Sequence, residues 1–270
     1  MEDLLSAWPT IREQFKKSSH IMLLSDYDGT LTPIVERPEL AELDEEVRDY
    51  LRRLANQRHL TVGIISGRAL PDLKSKVDVE GIIYAGNHGM EIEGPGLKFV
   101  NPIADELRPV LRLLYKVLDR TVGRIRGVLV EDKGLSLSVH YRQVDDHRVG
   151  EVSNIFRRVV AGVQALGKVR ITTGKKVYEV RPATAWDKGK AIGLLIKRYG
   201  KRGAYRGLLP LYLGDDLTDE DGFKVIEEYS GVSVLVGEPR ETTARYVLGS
   251  SEEVMGFLRS LSEEAKRGFR

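Results

Sequence analysis

The chain has 270 residues, 41% of them hydrophobic and 30% charged, which excludes a disordered polymer and allows one large domain or two modest ones. Its 42 basic and 40 acidic residues leave a net charge of +2, so electrostatics gives no case for nucleic acid as the main partner. It contains no cysteine, which excludes disulfides, thiolate zinc sites and a cysteine nucleophile.

The first segment, Leu4 to Lys17, has the periodicity of a helix, and its charged residues interrupt the apolar core that a signal peptide needs. No apolar run reaches membrane-spanning length, so the expectation is a soluble cytoplasmic protein with no membrane partner. Ile21 to Leu24 then reads as a strand buried on both faces, ending at Ser25-Asp26-Tyr27-Asp28-Gly29-Thr30. Asp44 is placed to cap a helix carrying Val47, Tyr50, Leu51 and Leu54. A second strand, Leu60 to Ile65, ends at Ser66-Gly67-Arg68, and Pro71 opens a short helix. A third strand, Ile82 to Ala85, ends at Gly86-Asn87-His88-Gly89. Strands alternating with helices predict a parallel open sheet with its site at the carboxyl edge.

The rhythm changes from about residue 103. The pattern predicts a long helix from Ala104 to about Thr121, strands at Val128–Val130 and Leu135–Tyr141, a helix from Asp146 to Leu166, and strands at Val169–Thr172 and Val177–Arg181. This fits a small antiparallel sheet backed by helices, inserted at about 103–182 between core segments 1–102 and 183–270. The parallel pattern resumes with a helix from Asp187 to Tyr199 and a strand from Leu208 to Leu213. That strand ends in an acidic run, Gly214 to Asp221. A helix from about Glu220, a strand from Ser233, a weaker strand near Tyr246 and a closing helix complete the chain. The fold class is α/β, a parallel-sheet core with an inserted α+β cap.

Asp26 and Asp28 at the end of a buried strand would repel each other and lose hydration unless a positive charge sat beside them. Magnesium, a hard cation that takes oxygen ligands, is the simplest remedy. The plainer reading is a strand followed by a polar turn. The acidic run after Leu213 equally suits a helix start, Ser66 an ordinary turn, and Lys188 a surface position. Taken together these strand ends are more specific, because the two acidic clusters close strands of one sheet.

The order of these motifs resembles the haloacid dehalogenase-like phosphohydrolases, and further features resemble the trehalose-6-phosphate phosphatases. These are Asp26-Tyr27-Asp28-Gly29-Thr30-Leu31-Thr32-Pro33-Ile34, Ser66-Gly67-Arg68, Gly86-Asn87-His88-Gly89-Met90-Glu91 and Gly214-Asp215-Asp216-Leu217-Thr218-Asp219-Glu220-Asp221. In the insert they are Glu131-Asp132-Lys133-Gly134, His140-Tyr141-Arg142 and Lys176-Val177-Tyr178-Glu179-Val180-Arg181-Pro182. The resemblance implies a Mg2+-dependent phosphatase with Asp26 as nucleophile and Asp28 as general acid and base. It implies metal ligation by Asp26, Asp215 and the Asp28 carbonyl, with Asp216 and Asp219 completing the outer coordination. Ser66 and Lys188 would hold the phosphoryl oxygens. Arg68, Asn87 and His88 on the core, with Glu131, Lys133, Arg142, Lys176 and Glu179 on the cap, would bind the sugar phosphate.

Sucrose phosphate or mannosyl-phosphoglycerate remains open as the substrate, as do a phosphotransferase and a non-catalytic sugar-phosphate-binding domain. The last would be expected to lose the nucleophile or metal residues, and Asp26, Asp28, Lys188 and Asp215 are intact. A separate trehalose-phosphate synthase as partner is not readable from the chain, and a monomer is the default.

Overall fold

The computed structural model describes residues 1–174, 176–200 and 207–268. The chain divides into two compact units, one made of Met1–Phe99 and Trp186–Arg270 and the other of Val100–Ala185. Among the described residues, no helix is long and apolar enough to cross a membrane.

The larger unit is built on one sheet whose central strand is β2 (His20–Ser25), after a two-residue strand β1 (Glu2–Asp3) and helix α1 (Trp8–Lys17). Its run of apolar residues serves two layers, because successive side chains point to opposite faces. Ile21 and Leu23 join a cluster with Phe15, Leu51, Leu73 and Phe257, whereas Met22 and Leu24 join Ile192, Leu195, Phe223 and Ile226. Helix α2 (Glu45–Ala55) starts where the Asp44 carboxylate accepts the Glu46 N–H at 2.7 Å. Strand β3 (Leu60–Ile65), helix α3 (Leu70–Val77) and strand β4 (Ile83–Gly86) follow, then β5 (Glu91–Gly94) and β6 (Leu97–Val100). After the insert come α7 (Lys188–Gly200), β11 (Leu208–Gly214), α8 (Glu220–Glu228), β12 (Val232–Val236), β13 (Tyr246–Leu248) and α9 (Ser251–Lys266).

The sheet order is β1-β13-β12-β11-β2-β3-β4-β5-β6. It is parallel from β1 to β4 and antiparallel between β4 and β5. The chain winds outward from β2 through β3 and β4, then returns on the other side of β2 with β11. The order therefore reverses between β2 and β11, where an open α/β sheet leaves a crevice at its carboxyl edge. The register fixes what meets there: Ser25 pairs with Leu213, and the Asp26 N–H donates to the Leu213 carbonyl at 2.8 Å.

Within the insert, β7 (Leu129–Asp132), β8 (Leu137–His140), β9 (Val169–Gly174) and β10 (Val177–Pro182) form an antiparallel sheet of order β7-β8-β10-β9. Helices α5 (Arg108–Arg120) and α6 (Asp146–Ala165) cover one face, where Leu111, Leu114, Leu118, Val152 and Phe156 pack with Val139 and Val180.

Two expectations need correction. The helix expected over Ala104–Thr121 is two helices, α4 (Pro102–Glu106) and α5, because Pro109 has no N–H with which to continue the ladder. The first helix begins at Trp8 rather than Leu4, and the residues before it pair Glu2 and Asp3 with β13. Strands β5 and β6, joined at Pro95-Gly96, lie in a stretch for which the sequence pattern gave no element.

Candidate active site

Five segments carry the polar groups: the carboxyl ends of β2, β3, β4 and β11 in the larger sheet, and the start of α7. Asp26 leaves β2 buried at 6% exposure, and its Oδ2 lies 3.0 Å from the Nζ of Lys188, itself 2% exposed. Lys188 is the first residue of α7, so its ammonium is fixed by a helix rather than a loop. Its Nζ also donates to Asp219 Oδ1 at 2.6 Å. Asp219 is saturated: Tyr212 O–H donates to Oδ1, while the N–H groups of Asp215 and Asp216 donate to Oδ2 at 3.0 and 3.1 Å. Asp219 thereby clamps the turn after β11, leaving the Asp215 side chain free to aim elsewhere.

Asp26, Asp215 and Asp219 each present a carboxylate oxygen within 4.8 Å of the others. Lys188 is the one cation among them in the described contacts, so the cluster holds more negative than positive charge. Burial pushes the Asp26 carboxyl well above its usual range, and Lys188 opposes that only in part while Asp219 and Asp215 reinforce it. Burial likewise raises Asp215, to about 7, with Asp219 and Asp216 adding to the shift. For Lys188, burial favours the neutral amine, but Asp219 and Asp26 outweigh it and hold the ammonium well above its usual value.

The Oδ1 of Asp215 is buried and accepts no hydrogen bond. A buried carboxylate oxygen without a donor beside surplus negative charge is what a divalent cation would satisfy. Gly29 makes the approach possible: at φ +84°, a Cβ there would lie 2.2 Å from Asp215 Oδ2. The donor set therefore fits a hard dication. Asp26 and Asp215 are the carboxylates best able to hold it, since every acceptor position of Asp219 is engaged. Asp216 accepts from Thr218 N–H and O–H, both at 2.7 Å, in a capping box that starts the next turn.

Asp28 stands apart from that cluster. Its side chain is 44% exposed, and Arg68 grips it at two points, Nε to Oδ2 at 2.8 Å and Nη2 to Oδ1 at 2.6 Å. The same guanidinium donates to Asp72 Oδ2 at 2.8 Å and to the Pro38 carbonyl at 2.7 Å, and lies 5.1 Å over the Tyr27 ring. Arg68, expected at the substrate, is here directed at Asp28. Ser66 is buried at the end of β3, where its Oγ accepts the Arg68 N–H at 3.1 Å. Asn87 and His88, both at positive φ, cross back to this loop by donating their N–H groups to Arg68 and Ser66 carbonyls at 2.7 and 2.8 Å.

The five expected cap residues lie on the insert. Lys133 Nζ is 3.6 Å from Glu179 Oε1 and 3.9 Å from Glu131 Oε2, so these three form one charged group on the face of the small sheet not covered by helices. Arg142 follows β8, and Lys176, at φ +59°, forms the β9–β10 turn with its Nζ 3.4 Å from Asp146. His140 joins the group through Glu131 at 3.2 Å. Sequence reasoning did not single out Tyr212, Asp72 or Tyr27 for a role here. Tyr212 carried a signal, as a hydroxyl inside an apolar strand two residues before the acidic turn.

A profile of the trehalose-phosphatase family matches residues 24–252. Trehalose 6-phosphate phosphatase RA3 of Zea mays is 36% identical over 289 residues, an alignment covering 99% of this chain and 78% of the maize protein. The C-terminal domain of the trehalose-6-phosphate phosphatase of C. albicans superposes with a TM-score of 0.77 at 26% identity, covering 94% of this chain and 96% of the other. A haloacid dehalogenase-like hydrolase from Bacteroides thetaiotaomicron, at 17% identity, shares the fold with a TM-score of 0.61 over 90% of this chain and 99% of that one.

Proposed function

Because this chain belongs to the trehalose-phosphatase family, we propose that it hydrolyses trehalose 6-phosphate to trehalose and phosphate through an aspartyl-phosphate on Asp26. The observation that carries the reading is the buried Asp26–Lys188 pair beside the donor-less oxygen of Asp215. An Asp26 carboxylate oxygen attacks phosphorus, and the bond from phosphorus to the sugar oxygen breaks with its electron pair leaving on that oxygen. Asp28 supplies the proton that neutralises it. Water then attacks the phosphoryl group, Asp28 takes the water's proton, and the phosphorus–Asp26 bond breaks to restore the carboxylate. Lys188 and Ser66 hold the phosphoryl oxygens, and Lys188 keeps Asp26 oriented between the two steps.

Mg2+ held by Asp26 and Asp215, with the Asp28 carbonyl, would offset the negative charge that Asp26 and the phosphoryl group bring together. Arg68 acts through Asp28: its two-point grip fixes where the acid's proton is presented. Recognition of sugar hydroxyls is assigned to the Glu131–Lys133–Glu179 group with Arg142 and Lys176, since paired charged and amide groups suit a hydroxyl-rich ligand. Asn87 and His88 complete the core's share of that task.

The test is phosphate release from trehalose 6-phosphate, sucrose phosphate and mannosyl-phosphoglycerate, with magnesium and with chelator, beside Asp26→Asn. Selective, chelator-sensitive turnover of the trehalose ester, lost in Asp26→Asn, is the expected result. Turnover of another ester instead would move the substrate assignment and leave the nucleophile, whereas turnover that survives Asp26→Asn would overturn the mechanism.

A further inference from the structure

The charge that nearly cancels over the chain is divided unevenly between its units. Val100–Ala185 holds 16 of the 42 basic residues and 9 of the 40 acidic ones, a net +7, while the remainder holds 26 against 31, a net −5. Much of that excess stands on α5. Its inward residues Leu111, Leu114 and Leu118 complete the insert's core. Outside, two rows run along the helix at a spacing of four residues: Arg108, Arg112, Lys116 and Arg120, and beside them Pro109, Leu113 and Val117. Leu113 is 64% exposed and Val117 39%. Arg108 pairs with Asp105 at 2.6 Å, but no carboxylate pairs with Arg112, Lys116 or Arg120 among the described residues. Arg108, Pro109, Arg112, Leu113 and Lys116 line a depression of about 330 Å3.

Folding the insert does not require this face. Like charges four residues apart weaken a helix by a few tenths of a kcal/mol per pair, and an exposed leucine gains nothing from burial. An apolar ridge at i, i+4 with a charged row alongside is instead the pattern of a helix–helix seam, in which the flanking charges select the partner. We propose that the outer face of α5 docks an acidic amphipathic helix of another protein, whose apolar ridge covers Leu113 and Val117 while its Asp and Glu residues meet Arg112, Lys116 and Arg120. The two rows span about three turns, which sets the length of the partner helix. Duplex nucleic acid is less suited to a convex helix with an apolar midline. A membrane would gain little from two aliphatic side chains.

A fluorescein-labelled helical peptide of about 15 residues, with leucines four apart and glutamates on one flank, is titrated with the full chain and followed by anisotropy. Micromolar, salt-sensitive binding is expected, weakened by about tenfold or more in Arg112→Glu/Lys116→Glu and by several-fold in Leu113→Ala. The control Arg157→Glu/Arg158→Glu, an equal charge change on α6, should leave binding intact. Both double variants should retain phosphatase activity, which reports that they fold. The proposal is overturned if the peptide fails to bind, or if a lysine-for-glutamate peptide binds as well. It is equally overturned if the α5 and α6 variants behave alike, or if anionic vesicles, duplex DNA or a second copy of the chain occupies the α5 face more tightly than the peptide.

Discussion

Arg68 and Lys188 are both basic residues held by carboxylates, yet their surroundings assign them different consequences. Arg68 grips a half-exposed Asp28, so its removal leaves no stranded buried charge. Arg68→Ala should lower kcat by about 10- to 100-fold through misplacement of the acid, with KM little changed and no further loss when combined with Asp28→Asn. Steady-state kinetics of the single and double variants decide this. A rise in KM at constant kcat would instead return Arg68 to the substrate. Lys188 sits between two buried carboxylates, and Lys188→Met would leave both uncompensated. A loss of about 3–5 kcal/mol in urea unfolding is expected, as for other broken buried pairs.

At the scale of elements, the turn after β2 and the turn after β11 are built to touch. Gly29→Ala would drive a methyl group into Asp215 and demand a left-handed backbone from a residue that resists it. Magnesium should then raise the melting temperature far less than in the parent chain, while the chelated forms differ by only about 1–2 kcal/mol. Much of this arrangement was legible beforehand because the buried strands announce themselves by apolar runs with polar ends. Leu60–Ile65 and the Asp44 cap stand where the pattern puts them. What stayed hidden depended on partners distant in sequence. Nothing in Glu2-Asp3 reveals a strand until β13 lies beside it, and nothing near Ser66-Gly67-Arg68 says that Arg68 turns to Asp28 and Asp72. The break at Leu107 was readable from Pro109 and was outweighed by the apolar periodicity around it.

Over the whole molecule, the net charge of +2 conceals opposite excesses in the two units, which only the division of the chain brings out. Stability also has a pH dependence set away from the catalytic edge. His20, at the amino end of β2, is buried with its Nε2 2.9 Å from Thr61 Oγ1, and burial together with His59 lowers its pKa to about 4. Burial lowers His59 as well. The unfolded imidazole titrates near 6.5, so acid protonates the unfolded chain first. The contribution of neutral His20 is therefore present above pH 6.5 and lost as pH falls toward 4. Between pH 7 and pH 5, urea titrations should show the parent chain losing about 2 kcal/mol more stability than His20→Gln, a comparison in which the opposite shifts of Asp26 and Asp215 cancel.

The pairing of β2 with β11 also imposes an order of events during synthesis. Asp26 emerges near the start of the chain, but Leu213, which receives its N–H, and Asp215, which faces the same cluster, follow nearly two hundred residues later. A ribosome must translate the whole insert before the carboxylates can gather, so the insert can fold on itself while β2 still lacks its neighbour. Chains truncated before Leu208 and released from the ribosome should resist proteolysis within 100–185 and show no protection by magnesium. Chains released after α9 should show both.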